Sequence, residues 1–267
     1  MRKYLYSFRL YLLTLFQYRF DTVLGLIMSN VSIFITIIFW ILLIYKSNDT
    51  AVINGYKITD MITFFVVSSL FRKFILINGG FEISEMIKSG NLSRIIIKPY
   101  SINLFLYFKC LSNSVFEFFK QFLFLLIIIP FFVSYLTWNL SVQSVILLII
   151  YLIVTTIISH LVWLLLGMMA FWLEQAQAVM WSFAVIINFL SGMFMPLDFF
   201  PGWSIKLLEL MPFAAFSYIP AKIYMNLLPV AEAVRLLVVY ILWILLLMSL
   251  IMITWRTGMK KYSAVGG

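Results

Sequence analysis

Apolar residues run in long blocks along this chain, and short polar stretches divide them. A helix that crosses a bilayer needs about 20 consecutive, mostly apolar residues. Thr22–Tyr45 carries no charge and predicts a first span over 22–45. Ile58–Ile77 predicts a second over 58–77, with Asp60 at its outer end and Arg72-Lys73 near its inner end. The charge-free run from Gln121 to Leu173 holds the latter part of a third span, a turn near Ser134–Ser141 and a fourth span over 142–171. The third span, 104–136, is too long for the membrane alone. At ~1.5 Å per residue, Ser101–Leu136 would reach about 50 Å against a ~30 Å hydrocarbon core. Lys109, Glu117 and Lys120 all lie in its first half, which is therefore expected to project into the cytoplasm. Glu117 and Lys120, spaced i,i+3, are expected to form a structural pair. A tight turn at Glu174–Gln177 leads into a fifth span over 178–195, and 230–255 is the sixth.

The polar segments between these blocks carry signals of their own. Residues 1–21 are apolar and aromatic, with Lys3, Ser7, Thr14, Gln17 and Asp21 in one stripe at helical spacing. That pattern predicts a helix lying in the cytoplasmic interface, the alternative being an extension of the first span. Lys46–Lys57 reads as an external polar loop. Asn78–Ser101 is the largest polar segment, and Phe81–Ser89 within it predicts a short amphipathic helix. Glu82 and Glu85 occupy its early turns, Lys88 its end, and Gly90 its C-cap. Such a segment is longer than a turn between spans requires, so 79–100 is expected to be a docking surface rather than an ordinary interfacial loop. Ser191–Asn226 holds four of the seven prolines: Pro196, Pro201, Pro212 and Pro220. No part of it is long and apolar enough to cross. Pro201-Gly202 signals a tight turn, and Pro212 and Pro220 suit the first turns of short helices. The expectation for 196–229 is a set of broken helices that dip into the outer face and return, a geometry tolerated only where protein or water receives the freed backbone groups.

Composition settles the class. The 267 residues are 64% hydrophobic and 11% charged, with mean hydropathy +1.07. Soluble domains lie near 45–50% apolar and about 25% charged, so the fold class is an all-α polytopic membrane protein. The net charge of +9 does not point to nucleic acid, because the basic residues are scattered between apolar blocks. They sort by side instead. Arg2, Lys3, Arg9, Arg19, Arg72, Lys73, Lys88, Arg94, Lys98, Arg256, Lys260 and Lys261 fall on segments assigned to the interior. Only Lys46, Lys57, Lys206, Lys222 and Arg235 fall outside, which predicts six transmembrane helices with both termini cytoplasmic. The interior turn at 172–177 is the one that lacks a basic residue. The N-terminal segment leads directly into a span, without the cleavage pattern of a signal peptide.

Chemical motifs are few. The single cysteine, Cys110, excludes an intrachain disulfide and a cysteine metal cluster. There is no G-x-x-x-x-G-K-S/T phosphate loop, no H-E-x-x-H and no G-x-S-x-G. No catalytic residue, metal site or cofactor of the chain's own is therefore expected. His160, alone in the fourth span, is expected to be a packed, hydrogen-bonded residue.

Six spans, an interfacial N-terminal helix, a helical cytoplasmic loop after the second span and broken helices before the sixth resemble the permease subunits of type-2 ABC exporters. Three stretches are more specific. GNLSRIIIKP at 90–99 resembles the G-x-L-D/S-x-x-L-x-R/K-P motif of a branch formerly classed as a bacterial family of unknown function, with Ser93 where many relatives carry Asp. SGMFMPLDFFPGW at 191–203, MPF at 211–213 and IPAKIYMN at 219–226 look like that branch's signature around the extracellular helices. The tail RTGMKKYSAVGG resembles its closing R-x-G-x-x-x-Y-x-x-x-G. The resemblance implies a multi-pass permease in the bacterial plasma membrane, paired with a second permease, identical or homologous, and driven by two ABC ATP-binding subunits that hold ATP and Mg. Phe81, Glu82, Ile83, Glu85, Met86, Ile87, Lys88, Gly90, Arg94 and Lys98 would then form the ATPase-coupling interface. Pro196, Phe199, Phe200, Pro201, Gly202, Trp203, Pro212 and Pro220 would form the extracellular gate. The uncharged spans suit a hydrophobic or amphipathic cargo such as a peptide, lipid or drug. The competing classes are a secondary transporter, which would need ion-coupling carboxylates at mid-membrane, and a non-transporting membrane scaffold or immunity protein.

Overall fold

A computed structural model of the chain describes residues 2–15, 19–46, 52–132, 135–137 and 140–262. Helices α1 (Arg2–Leu15) and α2 (Arg19–Lys46) precede a two-stranded hairpin, β1 (Val52–Ile53) and β2 (Tyr56–Lys57). Then follow α3 (Ile58–Arg72), α4 (Asn78–Lys88), α5 (Leu92–Ile96), α6 (Ile102–Phe132), α7 (Val142–Met168) and α8 (Ala176–Leu190). Short helices α9 (Gly202–Leu210) and α10 (Tyr218–Tyr224) lead to α11 (Val230–Lys261).

Among the described residues, four helices are long and apolar enough to cross a membrane: Leu24–Leu43, Ile102–Ile127, Val142–Phe171 and Val230–Lys261. They coincide with the first, third, fourth and sixth expected spans. The second and fifth blocks are shorter than expected: α3 and α8 have 15 residues each, about 22 Å of helix. Local chemistry ends α8. Ser191 is its C-cap and Gly192 takes φ +78°. The Gly192 N–H donates to the Phe189 carbonyl and the Met193 N–H to that of Asn188, both at 3.2 Å, which closes the helix in a Schellman motif. Tertiary contact accompanies the end of α3. The chain turns at Lys73–Ile77, and the Leu76 N–H donates to Ser159 Oγ on α7 at 2.8 Å.

The hairpin replaces part of the loop expected at 46–57; residues 47–51 lie outside the described residues. Asn54 and Gly55, at φ 48° and 83°, make the two-residue turn, the form whose twist matches paired strands. Residues 16–18, including Gln17 of the proposed polar stripe, and the tail 263–267 also lie outside. On the described part of α1, Tyr4 stacks on Phe108 and Tyr11 meets Phe105, so this helix lies on the first half of α6. Its Leu5, Tyr6, Leu10 and Leu13 are exposed, an apolar face of the kind an interface helix presents.

α7 is the axis of the fold. In its apolar stretch 56% is buried inside the chain, against 12% for α2. It runs antiparallel to α11: the Tyr151 hydroxyl donates to the Ala233 carbonyl at 2.7 Å, and beyond the other end Phe171 meets Trp255. Gly258 lies inside α11 because an added Cβ would stand 2.3 Å from the Phe171 ring. His160 is buried, with its Nε2 2.7 Å from Asn103 Oδ1 and its ring edge-on to Tyr107, as expected of a packed histidine.

Candidate functional site: two ends joined by one helix

At one end of the bundle, α4 is pressed against α7. A Cβ on Gly80 would come 2.2 Å from the Trp163 carbonyl oxygen, and one on Gly167 would come 2.2 Å from the Gly80 carbonyl oxygen. No side chain fits there, so the two backbones touch. Ile83 is buried at this seam and Ile87 is buried further along α4, while Phe81 stacks on Trp163 and packs at a tilt on Trp181. The apolar stripe of 81–89 thus serves mainly to dock α4 on its own chain. Ile83 and Ile87 are buried within this chain, while other residues of the expected interface are exposed.

The remaining residues of that set face outward or cap the segment. Glu82 forms an ion pair with Lys109 of α6. Glu85 is exposed and accepts a 3.4 Å hydrogen bond from Gln177 Nε2. Lys88, Arg94 and Lys98 are exposed, and Met86 is half-buried. Gly90, at φ +73°, follows the Ser89 C-cap as the expected helix stop, and its carbonyl accepts from Ser93 Oγ at 2.7 Å. Neither the pair Gly79-Gly80 nor Gly167, the glycines that form this seam, was singled out from the sequence. Their mutual approach is visible only in three dimensions. Nearby, Glu117 pairs with Lys120 as expected and also lies 3.8 Å from Lys73 of the α3–α4 turn.

The opposite end holds the proline-rich stretch. Residues 197–199 and 212–216 form single 3-10 turns, and with α9 and α10 they make four helical pieces, each too short to cross. Pro212 opens its turn and Pro220 sits in the first turn of α10, as their backbone chemistry requires. Pro201 is extended and leads into α9 rather than forming a β-turn with Gly202. Ala214, Ala215, Phe216, Tyr218, Ile219 and Ala221 are wholly buried. Of the expected gate residues, Pro196, Pro212 and Pro220 are buried, Phe199 packs on Trp40 and Tyr56, and Phe200 packs on Phe189. Pro201, Gly202 and Trp203 are exposed, Trp203 to 81%.

A polar knot that sequence reasoning missed ties this end together. Asp198 accepts from the Tyr56 hydroxyl at 2.5 Å, the Tyr218 hydroxyl at 2.9 Å and Lys222 Nζ at 2.8 Å. The hairpin, the 197–199 turn and α10 thereby share one carboxylate. Burial, with the Asp198 charge second, pushes the Tyr56 hydroxyl well above its ordinary pKa, so it stays a donor.

α7 connects the two ends. One stretch of it carries the Gly167–Gly80 contact. Further along, Thr155 Oγ1 donates to the Ala215 carbonyl at 2.9 Å and Tyr151 reaches α11.

Residues 31–266 match a family described as ABC-2 family transporter protein. The chain belongs to that family. No curated protein and no solved structure matches it. It is thus an ABC-2 type permease subunit, a multi-pass membrane protein with several apolar helices. Membership implies a non-catalytic membrane role beside an ABC ATP-binding subunit. The short helices and the α4 seam are features of this permease, and α7 is the element that touches both.

Proposed function

We propose that this permease is half of the pathway of an ATP-driven exporter, and that α7 transmits the stroke. Two ABC ATP-binding subunits, which hold ATP and Mg, act on the α4 end. A second permease, identical or homologous, completes the pathway in a bacterial plasma membrane. Both termini and α4 lie on the cytoplasmic side. α3 and α8, with their adjoining turns, complete six crossings, and 196–229 forms a re-entrant gate on the outer side.

One observation carries this reading: α7 is joined by backbone contact to α4 near one end and by hydrogen bonds to the 212–216 turn and α11 toward the other. Closely packed interiors move as units rather than deforming smoothly. A displacement of α4 is therefore passed to the gate. ATP shifts the inward–outward equilibrium through its differential binding to the two states. Ile83 holds α4 to α7, while Glu85, Lys88, Arg94 and Lys98 form the exposed rim that meets the ATPase. The charge-free α7 core suits a hydrophobic or amphipathic cargo, such as a peptide, lipid or drug-like molecule.

The test is purification of a tagged chain from its native cells in mild detergent. A stoichiometric ABC ATP-binding subunit is expected to accompany it, and to be lost from a Glu85→Arg/Lys88→Glu double variant. A chain that emerges alone even after gentle crosslinking would overturn the proposal and bring forward the secondary-transporter and scaffold readings.

A further inference from the structure

A cavity of about 380 Å³ lies between α4, the α5–α6 junction, α7 and the last turns of α11. Its size falls at the small end of ligand pockets, about 300–1,000 Å³. Ile83, Leu164, Met168 and Ile251 make apolar walls, while Tyr100 and Arg256 stand at its polar rim. Neither the Arg256 guanidinium nor the Tyr100 hydroxyl has a hydrogen-bond or ion-pair partner among the described residues. Met252 lines the cavity and is itself 54% exposed on the apolar surface of α11, so the space opens sideways beside side chains that face lipid. Lys260 and Lys261 close the same helix one turn further on.

Each part restricts the occupant. Apolar walls are no use to a free inorganic anion. A neutral lipid offers no charge to complement the exposed Arg256 guanidinium at the rim, and a folded polypeptide segment is too large. Guanidinium groups bind phosphate oxygens bidentately, and basic pockets between helices at membrane surfaces receive anionic lipid head groups. We propose that this cavity is a binding site for an anionic membrane amphiphile, with one tail segment between α7 and α11 and its phosphate head on Arg256 and Tyr100. The site rests on the chain's placement in a bilayer and does not require ATP-driven export. Because Ile83 of α4 forms one wall, an occupied cavity would also bear on the α4–α7 seam.

The full chain, purified in detergent, would be titrated with dioleoyl phosphatidylglycerol or dioleoyl phosphatidylcholine and read by native mass spectrometry. Phosphatidylglycerol adducts are expected to exceed phosphatidylcholine adducts about tenfold, and to fall about tenfold in Arg256→Gln. Met252→Trp, which fills the cavity from its exposed side, should lower them similarly. Lys260→Ala/Lys261→Ala, which removes charge outside the cavity, should leave them within about twofold. Among the described residues the exposed Arg256 side chain has no hydrogen-bond or ion-pair partner, so its variant keeps the test decisive. Equal retention of both lipids, an unchanged Arg256→Gln, or equal loss in the double-lysine variant would each overturn the site. Full competition by soluble glycerol phosphate would do so as well, since only the head would then be bound. None of these outcomes depends on an ATPase, so failure here is distinct from failure of the exporter reading.

Discussion

The two ends of this permease are built by opposite means. At the α4 end two helices meet backbone to backbone because Gly80 and Gly167 leave no room for a side chain. At the hairpin end three separate segments meet on one carboxylate, Asp198. A steric seam has a single good arrangement and resists separation. Hydrogen bonds around a partly exposed charge can be exchanged for water at modest cost. One end is thus fixed by shape and the other by exchangeable polar contacts.

The largest expected effect tests the seam. Gly→Ala inside an exposed helix would normally stabilise by about 1 kcal/mol. At Gly80 or Gly167 the sign should reverse, because the added methyl strikes a carbonyl oxygen; overpacking of this kind costs about 1–3 kcal/mol or more. The melting temperature of the detergent-solubilised protein should drop, with Gly80→Val worse than Gly80→Ala. Gly202→Ala serves as the contrast, since nothing lies within 4 Å of its added carbon; it should be neutral or slightly stabilising. An unaltered melting temperature for Gly80→Val would remove the seam from the account.

The polar knot should respond next. Asp198→Ala leaves Lys222, only 15% exposed, without its carboxylate, and should cost about 1–3 kcal/mol. In a double-mutant cycle with Lys222→Met, most of that loss should be recovered. Additive losses would mean that the two groups do not depend on each other. Tyr56→Phe and Tyr218→Phe each delete one donor and should cost about 1 kcal/mol, as read by chemical denaturation. If either phenylalanine variant proved more damaging than Asp198→Ala, the carboxylate would not be the centre of the knot.

The smallest effect on stability is expected on the exposed rim. Glu85→Ala and Lys88→Ala should alter stability by no more than about 0.5 kcal/mol, yet weaken capture of an ATP-binding subunit several-fold. Large destabilisation without loss of the partner would reverse the roles assigned to the two faces of α4.

Hydropathy located most of the fold. Spans expected at 22–45, 142–171 and 230–255 correspond to helices beginning at Arg19, Val142 and Val230, and 104–136 to one beginning at Ile102. α11 runs on past the expected end to Lys261, with the basic pair Lys260 and Lys261 in its last turn. In the second block the helix stops at Arg72, and Phe74–Ile77 continues the apolar run while its backbone turns toward α7. In the fifth block the helix stops at Leu190, because the stop signal at Ser191-Gly192 lies inside an apolar stretch. The hairpin had a readable signal in Asn54-Gly55 between Val52-Ile53 and Tyr56-Lys57. The segment 81–89 was legible as an amphipathic helix, but not which face would pack on its own chain.

The chain by itself determined that this is a multi-pass helical membrane protein, where its long helices lie, and which family it belongs to. Those properties depend on neighbouring residues and the solvent they meet, both of which are written along the chain. Only the tertiary structure decided that Ile83 faces α7, that Ile87 is buried, that Gly80 meets Gly167, that Asp198 gathers Tyr56, Tyr218 and Lys222, and that Arg256 overlooks an apolar cavity. Each of these joins segments far apart in the chain, and a local pattern cannot say which distant surface will cover an apolar face or answer a charge.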